Sequence, residues 1–92
     1  MAKFEYDARK NLANQLKHGV SFEQAKQVFY DPRLVILEDL LHSHDEPRYF
    51  AYGLVEGEVL TVRFTRRQGK IRIFGAAYWR KGRKTYEEKN SL

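Results

Sequence analysis

Few side chains in this sequence could move a proton near neutral pH. Imidazole is the group best suited to it, and the three histidines are His18, His42 and His44. His18 stands next to Lys17 and just before Gly19. Positive charge lies further along. Arg63, Arg66, Arg67, Lys70, Arg72, Arg80, Lys81, Arg83 and Lys84 are nine basic residues in a stretch that contains no acid. Cleavage of RNA without a metal needs a base for the 2′-hydroxyl, an acid for the leaving 5′-oxygen, and positive charge on the phosphate. These residue types can supply all three. Tyr78 and Trp79, followed by Arg80, would offer unpaired bases a stacking platform. Bland alternatives stand beside each reading: His18 as the cationic partner of a helix C-terminus, and Trp79, the single tryptophan, as a core anchor.

Other chemistries lack their residues. With no cysteine, a disulfide scaffold, a thiol nucleophile and a Cys-ligated zinc are excluded. No P-loop, GxGxxG, HExxH or GxSxG motif occurs, which leaves ATP- and NAD-dependent reactions without support. His42-Ser43-His44-Asp45 could meet a metal, but such loop pairs are usually solvated. Neither a metal nor a cofactor is expected.

Ninety-two residues give room for one small domain, spanning 1–92, with a modest core. A hydrophobic share of 42% and an aromatic share of 14% argue against disorder of the whole chain. The longest uncharged apolar run, Leu34–Leu37, is far short of a membrane span, and Glu5 interrupts the N-terminus where a signal peptide would need apolar residues. A cytoplasmic protein without a membrane partner is expected. Charge is one-sided: residues 1–46 carry a net −2 and residues 47–92 a net +7. The basic half suits a polyanion, or an acidic protein that covers the same patch.

The elements that must position these residues follow from periodicity and punctuation. Lys3–Tyr6 alternates like a short strand. Asp7 is an N-cap for a helix through Lys17, whose Leu12, Ala13 and Leu16 form a stripe expected to be buried, and Gly19 closes it. Ser21 with Gln24 reads as a capping box for a second helix with apolar Phe22, Ala25, Val28 and Phe29, stopped at Asp31-Pro32. Leu34–Leu37 reads as a short buried strand, and 38–47 as an exposed loop. Period two then marks strands over Arg48–Val55, Glu58–Thr65 and Lys70–Ala77. A four-residue loop at Arg66–Gly69 would set Thr65 opposite Lys70, Val62 opposite Ile73 and Arg63 opposite Arg72. Leu60, Val62, Phe64, Ile71 and Ile73 would then share a core face. Facing arginines repel. A bound phosphate would relieve them, or both would splay into solvent. Gly82 breaks the pattern before a short helix or tail from Arg83 to Asn90. The order β-α-α-β-β-β-β with a C-terminal extension predicts an α+β fold, two N-terminal helices packed on one face of a mainly antiparallel sheet.

Phe4-Glu5-Tyr6-Asp7, Lys10, Asn14 and the run Lys17-His18-Gly19-Val20-Ser21-Phe22-Glu23-Gln24-Ala25 resemble the opening signature of the BrnT family, the toxins of BrnT–BrnA type II toxin–antitoxin systems. The likeness continues through Phe29, Asp31-Pro32, Glu46, Arg48, Gly53, Thr65-Arg66-Arg67, Ile71-Arg72-Ile73 and Tyr86-Glu87-Glu88. It implies a RelE-like fold and a metal-independent endoribonuclease that inhibits translation. The implied partners are the RNA substrate and a BrnA-type ribbon-helix-helix antitoxin, joined as a heterotetramer that touches operator DNA through the antitoxin. The family's polar signature falls here on Lys17, His18, Arg48, Arg67 and Arg72. Lys17, His18, Arg67 and Arg72 are the catalytic candidates, and Arg48, Arg63, Arg66, Tyr78, Trp79, Arg80, Lys81 and Arg83 the RNA-binding ones. One departure is visible: where the commoner family pattern has an arginine after the last strand, this chain has Ala77. Either Arg80 or Arg83 takes over that phosphate contact, or activity is altered or lost. A non-catalytic module that presents the same basic face to nucleic acid or antitoxin is the alternative reading.

Overall fold

The structure, a computed structural model, describes residues 3–92; Met1 and Ala2, which open the N-terminal run, lie outside it. Strand β1 (Lys3–Tyr6) leads into α1 (Ala8–His18) and α2 (Phe22–Ala25), which tightens into a 3-10 turn over Lys26–Tyr30. Then come β2 (Val35–Glu38), a 3-10 turn at Leu40–His42, β3 (Arg48–Val55), β4 (Glu58–Arg67), β5 (Lys70–Ala77) and α3 (Arg80–Lys89). The strands form one sheet in the order β1-β5-β4-β3-β2, with β1 parallel to β5 and every other pair antiparallel. This is the expected α+β architecture. The C-terminal extension is a helix that begins at Arg80, earlier than Arg83.

Local chemistry accounts for the boundaries. The Asp7 carboxylate accepts from the backbone N–H groups of Lys10 and Arg9, at 3.2 and 2.8 Å, and these bonds hold its pKa below the usual value. Gly19, at φ +69°, closes α1 in the left-handed region. Ser21 Oγ accepts from Gln24 N at 3.0 Å. The reciprocal arm of a capping box is not made, because Gln24 Nε2 donates instead to the Tyr78 hydroxyl at 2.9 Å.

Register differs from expectation at the β4–β5 hairpin. The turn there is two residues, Gln68-Gly69, both at positive φ (50° and 77°), as tight hairpins of this twist require. Arg66 and Arg67 therefore extend β4 rather than forming the loop. Arg67 faces Lys70, Thr65 faces Arg72 and Phe64 faces Ile73. The ladder then slips, leaving Phe74 without a partner, and Arg63 faces Gly75. The expected pairs Thr65–Lys70, Val62–Ile73 and Arg63–Arg72 do not form. The expected core face does: Leu60, Val62, Phe64 and Ile73 are buried with Ile71 packed alongside.

On that face Val20, Phe22, Ala25 and Val28 pack against the sheet. The opposite face holds a smaller cluster of Tyr52, Val59 and Tyr86, flanked by Val35, Leu37 and Phe50. Gly82 explains its own presence here, since a Cβ on it would overlap Thr61 Oγ1. Only glycine lets α3 lie this close to β4. Asp31 fastens α3 from below, accepting from Leu54 N and the Tyr86 hydroxyl, each at 2.7 Å, and from Arg33 N at 2.8 Å.

Two expectations about burial fail. β2 is an edge strand with alternate residues exposed, because only β3 pairs with it. In α1, Leu12 and Leu16 are 59% and 81% exposed, and the one buried residue is Asn14. The cause is position. β1 pairs with β5 only as far as Ile73, and α1 lies against the rest of β5. There Asn14 Nδ2 donates to Ala76 O at 2.8 Å and to Val20 O at 2.9 Å, and Asn14 Oδ1 accepts from Ala76 N at 3.2 Å.

Asn14→Ala, which orphans three buried backbone groups, is expected to cost about 2–4 kcal/mol in urea unfolding; a cost below ~0.5 kcal/mol would show that water replaces the amide. The Asp31–Tyr86 bond predicts a pH signature. Burial opposes ionisation of Asp31, but its bonds from Leu54 N, Tyr86 and Arg33 N outweigh that and hold its pKa below the usual value. This contribution is complete above the unfolded carboxyl pKa of about 4 and is lost as pH falls through the lower folded value. Burial and the bond to Asp31 push Tyr86 up to about 12. That contribution is complete below the unfolded pKa of about 10 and is lost as pH rises toward the folded one. Tyr86→Phe should therefore cost about 1.5–3 kcal/mol between roughly pH 5 and 9, with the gap from wild type narrowing outside that window.

Candidate functional site

Because α3 covers the sheet only around Thr61 and Tyr52, the rest of that face stays open. A row crosses it in register, Arg48–Thr65–Arg72–Glu5. Thr65 is buried and its hydroxyl donates to Pro47 O at 2.6 Å. Arg72 Nη1 donates to Glu5 Oε2 at 2.9 Å, with Lys70 Nζ 3.9 Å from the other oxygen. Arg67 reaches Glu46 with a two-pronged bond, Nε to Oε1 at 3.1 Å and Nη2 to Oε2 at 3.0 Å, and Arg48 Nη2 lies 3.8 Å from Oε2. The bond from Arg67 draws Glu46 below the usual carboxyl range and raises Arg67 in turn. Two glutamates of the acidic half thus hold Arg48, Arg67 and Arg72.

Phe74, freed by the slip in the ladder, meets two guanidinium groups. Arg48 is 4.9 Å and Arg63 5.4 Å from its ring centre, within cation–π range. The arginine pair that the structure brings together is therefore Arg48 and Arg63, at one ring. Arg63 has no carboxylate partner among the described residues.

Beside Arg63 the face dips into a cleft of about 520 Å³. Lys10, Lys17 and His18 of α1 line it, with Arg63 of β4, Phe74 of β5, and Trp79 beside His18. Asn14 also lines it, so the bond that ties α1 to β5 is the one that places these α1 residues. His18 meets Trp79 edge to face, centroids 5.5 Å apart at 77°. Trp79 remains 38% exposed, a half-open side wall rather than a core anchor. Cations from α1 and β4, an imidazole and an aromatic ring, with no acid in the lining, are the groups that could receive a phosphate.

The cleft therefore gathers Lys17, His18, Arg63 and Trp79 from the sequence candidates, with Arg48 outside its lining but in contact with Phe74. Arg67 and Arg72 sit along the open face, engaged by glutamates. Arg66 pairs with Ile71 and alternates to the opposite face. Tyr78 turns toward α2, where its hydroxyl accepts from Gln24, so it does not join Trp79 in a platform. Arg80 and Lys81 line a neighbouring groove, and Arg83 faces the β3–β4 turn. Neither Arg80 nor Arg83 enters the cleft. Ala77 is buried opposite Thr61, on the face that α3 covers. His42 Nδ1 pairs with buried Asp39 at 2.7 Å. Lys10 and Phe74 are the site residues that sequence reasoning missed. Their signals were Lys10 seven residues before Lys17, hence on the same helical face, and Phe74 two residues after Arg72 on one strand face.

A family model described as the ribonuclease toxin BrnT of type II toxin–antitoxin systems matches residues 6–82. The chain belongs to this family. No match is found among curated proteins. The BrnT match runs from the end of β1 to Gly82 and so takes in every residue that lines the cleft. Its type implies an antitoxin partner.

If Glu46 competes with RNA phosphates for Arg67, Glu46→Gln should tighten binding of single-stranded RNA several-fold and steepen its salt dependence by about 0.7 in log–log slope. Filter binding across a salt series checks this, and an unchanged slope would show that Arg67 does not meet phosphate.

Proposed function

We propose that this BrnT-family chain is a metal-independent endoribonuclease whose scissile phosphate sits in the cleft between α1 and β5. The observation that carries this reading is the convergence of Lys17, His18 and Arg63 on one acid-free cavity beside an exposed tryptophan. The 2′-oxygen attacks the adjacent phosphorus, the bond to the 5′-oxygen breaks, and the products are a 2′,3′-cyclic phosphate and a 5′-hydroxyl. Charge builds on the non-bridging oxygens, where Arg63 lies preorganised against Phe74. His18 and Lys17 exchange the two protons, one taken from the 2′-hydroxyl and one given to the leaving oxygen. Trp79 holds a base by stacking, which fixes the line of attack. Arg48, Arg67 and Arg72 receive flanking phosphates along the open face, exchanging their glutamates for them. Translation is inhibited through loss of RNA in the cytoplasm. A BrnA-type ribbon-helix-helix antitoxin, in a heterotetramer that also reaches operator DNA, silences the toxin by covering the basic cleft.

The test is cleavage of total RNA by purified protein in EDTA, with end-group analysis. Wild type should leave 2′,3′-cyclic phosphates. Arg63→Ala and His18→Ala should each slow cleavage at least tenfold while keeping the wild-type melting profile. Arg67→Ala and Arg72→Ala should also lose activity, through KM. Wild-type rates in folded Arg63→Ala would remove the phosphate from this cleft, and no cleavage by wild type would favour a binding module with the same basic face.

A further inference from the structure

A second concavity, of about 540 Å³, opens on the same side of the sheet between β2, β3 and the start of α3. The size is that of a small-ligand site. Leu37, Phe50 and Tyr52 line it, with Trp79, Arg80 and Lys81; one acid, Glu38, lines it too and pairs with neither cation among the described residues. Phe50 and Tyr52 lie two residues apart on one strand face, with rings 6.1 Å apart and only 28° from parallel. Tyr52 is buried beneath α3, and half-buried Phe50, backed by it, is the aromatic side chain that the groove presents. Packing does not require two cations on the lip of such a groove, whereas a ligand with a planar apolar face and an anionic tail would use both. Trp79 borders this groove and the phosphate cleft alike, so the two are continuous across a single side chain.

We infer that this groove is a nucleobase subsite, which takes the base of a nucleotide flanking the scissile phosphate. The base lies against Phe50, Trp79 borders it on the cleft side, and Arg80 and Lys81 meet the phosphate beyond it. This assigns Arg80 a place in the molecule although it does not enter the cleft. The inference rests on the ribonuclease reading for its substrate, but its test does not need cleavage.

Trp79 is the only tryptophan, so its fluorescence reports on the border that groove and cleft share, and a substitution at Phe50 tells the two apart. The protein is titrated with a 2′-deoxy pentanucleotide of mixed sequence, which has no 2′-hydroxyl and resists this chemistry, and with a fully abasic pentamer that carries the same phosphates. Wild type should bind the base-containing strand at least fivefold more tightly, with quenching that the abasic strand does not produce; base–aromatic stacking gives effects of about this size. Phe50→Leu keeps the apolar volume and removes the π face, and should lose most of that preference. Arg80→Ala/Lys81→Ala, a surface change that leaves the core untouched, should weaken both strands and leave the ratio unchanged. Equal affinity of wild type for the two strands would overturn the subsite, as would a preference that survives in Phe50→Leu. Base-dependent binding by a protein that cleaves nothing in EDTA would instead remove the ribonuclease reading and leave the subsite standing.

Discussion

The outer edge of β5 beyond Ile73 needs a partner, and the amide of Asn14 provides it. β1 is only four residues long and pairs with β5 from Lys70 to Ile73. Past that point the strand presents backbone groups that cost free energy if buried without a partner. Asn14 offers Ala76 one donor and one acceptor, as a neighbouring strand would, and its second amide hydrogen holds Val20 at the start of the next segment. A side chain thus does the work of a peptide group, and a helix can lie where a strand would otherwise be required. Lys17 and His18 come one turn later on that helix. Their height over β5 is set by this one amide, so the constraint that completes the sheet also builds a wall of the cleft.

The second constraint is the tight turn at Gln68-Gly69. Two residues in the left-handed region fix the β4–β5 register so that Thr65, not Arg63, faces Arg72. That register brings the two strands past each other with one residue too many on β5, and the slip expels Phe74 from the ladder. The freed ring then meets both Arg48 and Arg63. Like charges placed directly opposite would have destabilised the hairpin. Set within reach of an aromatic face, each is attracted by the ring instead. Arg-Arg-Gln-Gly reads as a four-residue loop by composition, and only the demand that the hairpin twist match its strands selects the shorter turn.

Charge is divided between structure and site in a way that the totals conceal. The acidic half of the chain lends Glu5 to Arg72 and Lys70, and Glu46 to Arg67 and Arg48. These pairs are partly exposed and add little to stability. Their effect is to hold four cations in position along one face while leaving them exchangeable for another anion. No such pair reaches Lys10, Lys17 or Arg63 among the described residues, and no acid lines the cleft they share. A composition reading sees one basic stretch from Arg63 to Lys84. The fold turns Arg66 to the far face and Arg83 toward the β3–β4 turn, and recruits Lys10 and Lys17 from the acidic half.

What was legible follows from the same physics. Caps, turns and period-two strands depend on neighbouring residues, and Asp7, Gly19 and Ser21 mark their elements where the structure has them. The apolar face of β4 and β5 was legible because a sheet face buries what it covers. The stripe of α1 misled because periodicity assumes that a helix buries itself against apolar surface. At a strand edge the surface to be satisfied is polar, so Leu12 and Leu16 turn outward and an asparagine turns in. An asparagine three residues before Lys17 was visible all along, and it was the residue on the buried side. Its meaning depended on where β1 would stop pairing, and that is decided by residues sixty positions away.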